Sequence, residues 1–318
     1  VFEQVAADLQ ALYGVRAARI ACDAHPGYTT HRWALRQSEL PVERVWHHQA
    51  HASAVAAELD QPGQWLMFAW DGVGLGEDET LWGGEALLGV PGYWRRVASL
   101  RQFRLPGGER AGREPWRSAA ALYWECDRLW PDCPDPDGLA QAAWQNRLNC
   151  PETSAAGRLF DAAAAIICDL PDTSFEAQGP MVLESLCRGA APAVELPIDS
   201  DANGVLRSDW QPLLEVISDR HRNPAARAEI FHSSIATAIL RQAESVREKH
   251  AIDNVGLCGG VFQNRVLTEQ ALNLLQDAGF KVRLPQMLPC NDAALSFGQA
   301  AEVAARDARQ QRETNDGR

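Results

Sequence analysis

Six consecutive apolar residues, Trp65-Leu66-Met67-Phe68-Ala69-Trp70, stop abruptly at Asp71-Gly72-Val73-Gly74-Leu75-Gly76-Glu77-Asp78. The run reads as an apolar strand, and the glycines after it form a turn. Thr80 to Val90 and Tyr93 to Phe103 read as two further strands joined by a Pro-Gly turn. A strand, a Gly-rich turn and a second strand make a β-hairpin, not the strand-to-helix turn of a P-loop. The Lys-Ser/Thr of a Walker motif is also missing. Backbone N–H groups of such a hairpin can still wrap a phosphate.

The flanking segments alternate. Phe2 to Tyr13 has helical spacing, Ala17 to Cys22 reads as a strand, and Asp23 to Gly27 as a turn. Tyr28 to Arg36 reads as a helix and Val42 to Trp46 as a strand feeding an Ala-rich helix that ends near Leu59. From Gly112 to Glu184 the pattern is mainly helical, with helices over 155–170 and 175–187. A strand follows over 194–198 and a polar turn over 199–204. Helices over 225–250 and 265–278 enclose a strand over 253–257, and a strand over 281–284 precedes a last helix starting near Asn291. Residues 306–318 are polar and charged and read as frayed or disordered. This is the rhythm of an α/β chain.

In Val45-Trp46-His47-His48-Gln49-Ala50-His51, two histidines stand four apart at the start of a helix. That spacing puts both imidazoles on one face, within reach of one metal ion. His48 points elsewhere on the helix and is not a ligand. A surface histidine cluster is the plain alternative. Three other features fall where α/β proteins gather ligands, at strand C-termini and helix N-termini. They are Asp71 after its strand, Gly259-Gly260-Val261-Phe262-Gln263-Asn264 at a strand-to-helix turn, and Asn291-Asp292 before the last helix. Two imidazoles and one or two carboxylates suit a divalent metal such as Fe or Zn. Glycines at 72, 74, 76, 259 and 260 let backbone approach a nucleotide. Arg158 and Asp161 are three apart, explained either by an ion pair or by Asp161 taking a ribose hydroxyl. Arginines in 105–117, notably Arg113 and Arg117, form either a solvated connector or an anion-binding loop.

Composition narrows the classes. The 318 residues are 46% hydrophobic and 23% charged, long enough for two domains. A net charge of −12 argues against a broad nucleic-acid surface. No apolar run spans a bilayer. The eight cysteines form no C-x-x-C pair, and several sit in apolar runs, which suits reduced thiols in a cytoplasmic protein.

Taken together, these segments resemble the Kae1-like carbamoyltransferase domain of the HypF family. The segments are His-His-Gln-Ala-His at 47–51, Asp-Gly-Val-Gly-Leu-Gly at 71–76, Trp-Gly-Gly-Glu at 82–85 and Leu-Pro-Gly-Gly at 105–108. Arg-Glu-Pro-Trp-Arg at 113–117, Gly-Arg-Leu-Phe-Asp at 157–161, Gly-Gly-Val-Phe-Gln-Asn at 259–264 and Asn-Asp at 291–292 complete the set. The resemblance implies a two-lobe actin/Hsp70/sugar-kinase fold. Residues 1–110 would form a partial N-terminal lobe, with the family's first Gly-rich strands missing. Residues 111–318 would form a helical insertion and the C-terminal lobe. It implies carbamoyl transfer from carbamoyl-adenylate, made with ATP by a YrdC-like domain normally in the same protein. The acceptor would be the C-terminal cysteine of HypE, on the way to a cyanide ligand of [NiFe]-hydrogenase. His47, His51 and Asp292 would bind the metal with Asp71 beside it. Asp161, Gly179, Asn264 and the glycines at 259 and 260 would contact the nucleotide. Ala293-Ala294 stands after Asp292 where the family has glycine. Two alternatives remain: a relative that acts on tRNA or a small-molecule hydroxyl, and a chain that binds metal and nucleotide without activity of its own.

Overall fold

The computed structural model describes residues 1–37, 39–59 and 63–316. The chain begins with α1 (Phe2–Tyr13), β1 (Ile20–Asp23), α2 (Thr29–Leu35), β2 (Val42–Val45) and α3 (His47–Leu59). The hairpin region follows as β3 (Trp65–Leu75), β4 (Leu81–Val90), β5 (Tyr93–Leu100) and β6 (Phe103–Arg104). Then come α4 (Trp116–Trp124), α5 (Leu139–Gln145), β7 (Glu152–Thr153), α6 (Ala156–Ile167) and α7 (Gln178–Ser185). The rest is β8 (Ile198–Ser200), β9 (Leu206–Ser208), α8 (Gln211–Ser218), α9 (Pro224–His250), β10 (Asn254–Cys258), α10 (Arg265–Asp277), β11 (Lys281–Arg283) and α11 (Leu295–Asp316).

β1 and β2 form a small parallel pair. The main sheet runs β11-β10-β3-β4-β5-β9-β8, with β7 joined to β4 and β6 to β7. β10 is parallel to β3, whereas β3, β4 and β5 are antiparallel. The sheet therefore draws strands from both sides of residue 110.

The unbroken apolar character of Trp65–Trp70 has a direct cause, because β3 is covered on both faces. Leu66, Phe68 and Trp70 join the core built by α4, α6, α8 and α9. Trp65, Met67 and Ala69 face the other way, against Ala52, Val55 and Ala56 of α3. Side chains alternate along a strand, so Asp71 follows in the α3-facing series. The β3–β4 register slips between Trp70↔Gly84 and Gly74↔Trp82, which leaves Asp71-Gly72-Val73 bulged out of the ladder.

Two sequence expectations need correction. Residues 194–197 are not a strand; β8 starts at Ile198, and the polar segment after it turns into β9, which pairs with β5. Residues 306–316 are not frayed, since α11 continues to Asp316. Arg306 binds Glu302, the Arg44 carbonyl and Gln49, and Arg309 pairs with Glu313 and lies over Tyr93. Among the described residues, no helix is long and apolar enough to cross a membrane.

Candidate metal and nucleotide site

α3 opens at His47, directly after β2, so His47 and His51 occupy its first two turns. Both rings are buried at 1% exposure, which rules out a surface cluster. Asp71 approaches from the β3 bulge, and Asp292 from the short 3-10 turn that precedes α11. Asn291 caps that turn by accepting from the Ala293 N–H, which leaves the Asp292 carboxylate free to face the histidines.

His47 Nε2 lies 2.9 Å from Asp71 Oδ2 and 3.6 Å from Asp292 Oδ1. His51 Nε2 lies 3.5 Å and 3.3 Å from the same two oxygens. One donor atom from each residue falls within 4.8 Å of all the others. His51 Nε2 is buried and makes no hydrogen bond, although two carboxylate oxygens stand near it. A buried imidazole nitrogen without a hydrogen-bond partner, beside a second imidazole and two carboxylates, fits a divalent cation. Asp71 has a second hold, its Oδ1 accepting from the Gly260 N–H at 3.2 Å.

Spacing alone did not reveal Asp23. Its Oδ2 takes the Nδ1 side of His47 at 3.0 Å, so the Nε2 atom faces the cluster. The signal for it in the sequence was its place at the end of a strand, before a turn. Burial opposes a charge on His47, but hydrogen bonds to Asp23, Asp292 and Asp71 outweigh it and raise its pKa well above 6.5. The contacts with His47 and His51 hold the Asp292 carboxyl down at about 2. Asp71 is likewise lowered: burial resists ionisation, and the two histidines prevail. His48 is also buried but faces Trp82 and the backbone at Gly74, outside the cluster.

A cleft of about 1360 Å³ opens from this cluster. Asp71, Gly72, Gly260, Asn264 and Asp292 line it, as do Arg113, Arg158 and Asp161. Arg158 Nη2 stands 2.9 Å from Asp161 Oδ2, but its N–H is not aimed at that oxygen, which accepts no hydrogen bond. Burial pushes the Asp161 carboxyl up to about 6 against the pull of Arg158. Both groups thus keep bonding capacity toward the cleft.

Three expected residues sit elsewhere. Gly179 packs behind Asp161, where a Cβ would meet Ala164 at 3.0 Å. Gly259 follows the end of β10 and lies against β3, with a φ of 97° and space for a Cβ closed by the Trp70 carbonyl. Arg117 is held by Glu114 and stacks on Trp116, away from the cleft lining. Asn264 reaches the cleft edge, yet its Oδ1 caps α10 and its Nδ2 donates to His232 Nε2 at 3.0 Å. The His232 Nδ1 donates to the Ala228 carbonyl, so its Nε2 carries the accepting lone pair. All eight cysteines are free, and burial raises the pKa of the Cys168 and Cys187 thiols to about 11 and about 12.

The α/β sheet, the hairpin bulge and the cluster of paired histidines and aspartates beside a cleft define a Kae1-like domain. Residues 67–299 match the family described as "Carbamoyltransferase, Kae1-like Domain, second subdomain", and residues 1–58 match the "HypF Kae1-like domain". The chain belongs to the HypF carbamoyltransferase family, a family of transferases. Carbamoyltransferase HypF of Rhodobacter capsulatus is 38% identical over 319 residues, covering 96% of this chain and 42% of that protein. A HypF homolog of Cupriavidus necator is 36% identical over 90% of this chain and 77% of its own length. A crystal structure of full-length HypF in the phosphate- and nucleotide-bound form superposes with a TM-score of 0.86 at 28% identity. It covers 95% of this chain and 41% of the other.

Proposed function

We propose that this chain performs the carbamoyl-transfer step of HypF in the cytoplasm. It takes the carbamoyl group from carbamoyl-adenylate and gives it to the C-terminal cysteine thiol of HypE, toward a cyanide ligand of [NiFe]-hydrogenase. The observation that carries this reading is the His47–His51–Asp71–Asp292 cluster beside a cleft that Asp71 and Asp292 line together with Arg113, Arg158 and Asp161. Support also comes from the nucleotide and phosphate in the related HypF structure.

A divalent metal such as Fe or Zn would be held by His47, His51, Asp71 and Asp292 and would supply Lewis-acid polarisation of a carbamoyl or phosphate oxygen. The side chains of the chain do the rest. Arg113 and Arg158 orient and neutralise the adenylate phosphate. Asp161 takes a ribose hydroxyl, and Gly72 in the bulge with Gly74 after it keeps backbone close to the ligand. The partner's sulfur bonds to the carbamoyl carbon while that carbon's bond to the phosphate oxygen breaks. AMP departs, and the thiol proton passes to water in the open cleft. The thiol belongs to the partner, which agrees with the protonated cysteines here. In the longer protein, a YrdC-like domain supplies the adenylate.

The test supplies purified carbamoyl-adenylate and HypE to the metal-loaded chain and weighs HypE by mass spectrometry. A gain of one carbamoyl group on the terminal cysteine is expected. No gain, with the chain folded and loaded, overturns autonomous transfer.

A further inference from the structure

The Trp-Gly-Gly-Glu segment contributes no group to the cleft, yet it contains a completely buried carboxylate. Glu85 Oε1 accepts from three donors: the Gly83 N–H at 3.3 Å, the Gly84 N–H at 3.2 Å and the Ser154 hydroxyl. Its Oε2 accepts no hydrogen bond and has Arg96 Nη1 at 3.5 Å. Arg96 is held in place by Asp78 at 2.5 Å and by the Trp82 ring, with 4.2 Å to its centroid. A buried carboxylate is costly to keep unless its bonds do something for the structure around it. Burial does raise the Glu85 pKa.

What those bonds join is specific. Ser154 comes just before α6, the helix that carries Arg158 and Asp161. Gly83 lies in β4 against the bulge that carries Asp71. A Cβ on Gly83 would stand 2.8 Å from the Asp71 carbonyl and 2.8 Å from Ala155 Cβ. On the other side, a Cβ on Gly157 would stand 2.7 Å from Gly72 Cα and 3.0 Å from the Asp71 carbonyl. The Asp71-Gly72 bulge is therefore clamped between β4 and the first turn of α6. The Glu85–Ser154 hydrogen bond is the side-chain tie across this clamp, beside the main-chain bond from the Ser154 N–H to the Leu81 carbonyl.

We propose that Glu85 is a positioning residue that fixes the distance between the metal cluster and the Arg158–Asp161 wall. A ligand that touches both walls can then be held by both at once. This rests on the proposed reading of the cleft, in which one ligand meets both the metal-binding cluster and the arginines. The tie leaves each wall intact by itself: the metal-binding side chains do not touch Glu85, and neither Arg158 nor Asp161 bonds to it. What Glu85 sets is the coupling between the two walls.

The probes are Mn²⁺ and AMP, which chelates metal only weakly. Titration calorimetry gives the affinity for AMP with and without Mn²⁺. In the wild type, Mn²⁺ is expected to tighten AMP by at least about tenfold, within the usual range of coupling between sites. In Glu85→Leu and in Ser154→Ala that factor falls below about threefold, while each ligand alone keeps its affinity within about threefold. Ser154→Ala breaks the same tie from the far side and leaves the buried carboxylate in place. The inference is overturned if both variants keep the wild-type coupling. It is also overturned if both ligands weaken together in proportion to a lowered melting temperature, which marks a purely structural role. Wild-type protein that binds neither probe overturns the reading of the cleft itself, and this inference with it.

Discussion

Asp23 and His47 stand 24 residues apart in sequence, yet their contact orients the best-connected imidazole of the cluster. The hydrogen bond at Nδ1 fixes which nitrogen is presented to the metal position. Asp23→Asn keeps the shape but replaces the accepting carboxylate with an amide. Metal affinity should drop about 10- to 100-fold, measured by competition with a chromogenic chelator. Unchanged affinity would show that α3 alone orients His47. Asp161 gives a second prediction at this scale. Its carboxyl is raised from 3.8 to about 6, so its contribution to stability is complete below pH 3.8 and disappears as pH rises through about 6. Relative to Asp161→Asn, the wild type should lose up to about 3 kcal/mol between pH 4 and pH 7. Urea denaturation of both proteins at the two pH values measures this, and parallel pH profiles would contradict it. His47, His51, Asp71 and Asp292 were readable in sequence because residue type and position relative to strand and helix ends carry the signal. Asp23 was not, because nothing in a lone Asp before a turn says which imidazole it will meet.

At the scale of elements, the metal helix is set by what packs on it. α11 crosses α3 so closely that a Cβ on Gly298 would stand 1.9 Å from the Ala50 carbonyl oxygen. Glu302, buried on the same helix, accepts from the Ser53 hydroxyl of α3 and from the Gly92 N–H at the β4–β5 turn. Asp292 sits at the head of α11, so any shift of that helix moves a ligand. Gly298→Ala puts a methyl group against main chain that cannot rotate away. It should destabilise the protein by about 1–3 kcal/mol and weaken metal binding as well. Thermal melts and the chelator competition read the two effects, and a variant with wild-type metal affinity would show that α11 does not position Asp292. The length of α11 was not legible, because residues 306–316 lack an apolar stripe and its support comes from Arg306, Asp307 and Arg309 meeting distant partners. β9 was missed for a related reason: three residues carry little pattern, and pairing with β5 decides their conformation. The β3–β5 hairpin was legible because long apolar runs divided by glycines leave few alternatives.

Across the whole molecule, the cluster draws ligands from three stretches of chain: the start of α3, the end of β3 and the entry to α11. Each belongs to a different secondary-structure element, although α3 packs on both β3 and α11. His51 follows α3, which lies on the sheet through Val55 and Ala56. Asp71 follows the central strand, and Asp292 follows the last helix. A cation bound to all four groups cross-links these elements in the folded state and has no equivalent site in the unfolded chain. Folding stability should therefore rise with free metal as RT ln(1 + [L]/Kd), about 2.7 kcal/mol at a hundred times Kd. In a protein of this size that amounts to roughly 4 °C in melting temperature. Scanning calorimetry with Zn²⁺, then with excess EDTA, should show this increase and its reversal. His51→Ala should lose most of it, because it removes a donor nitrogen that makes no hydrogen bond of its own. The same Zn²⁺ shift in His51→Ala would place the stabilising cation somewhere other than this cluster. The metal would then have no part in holding the cleft walls together.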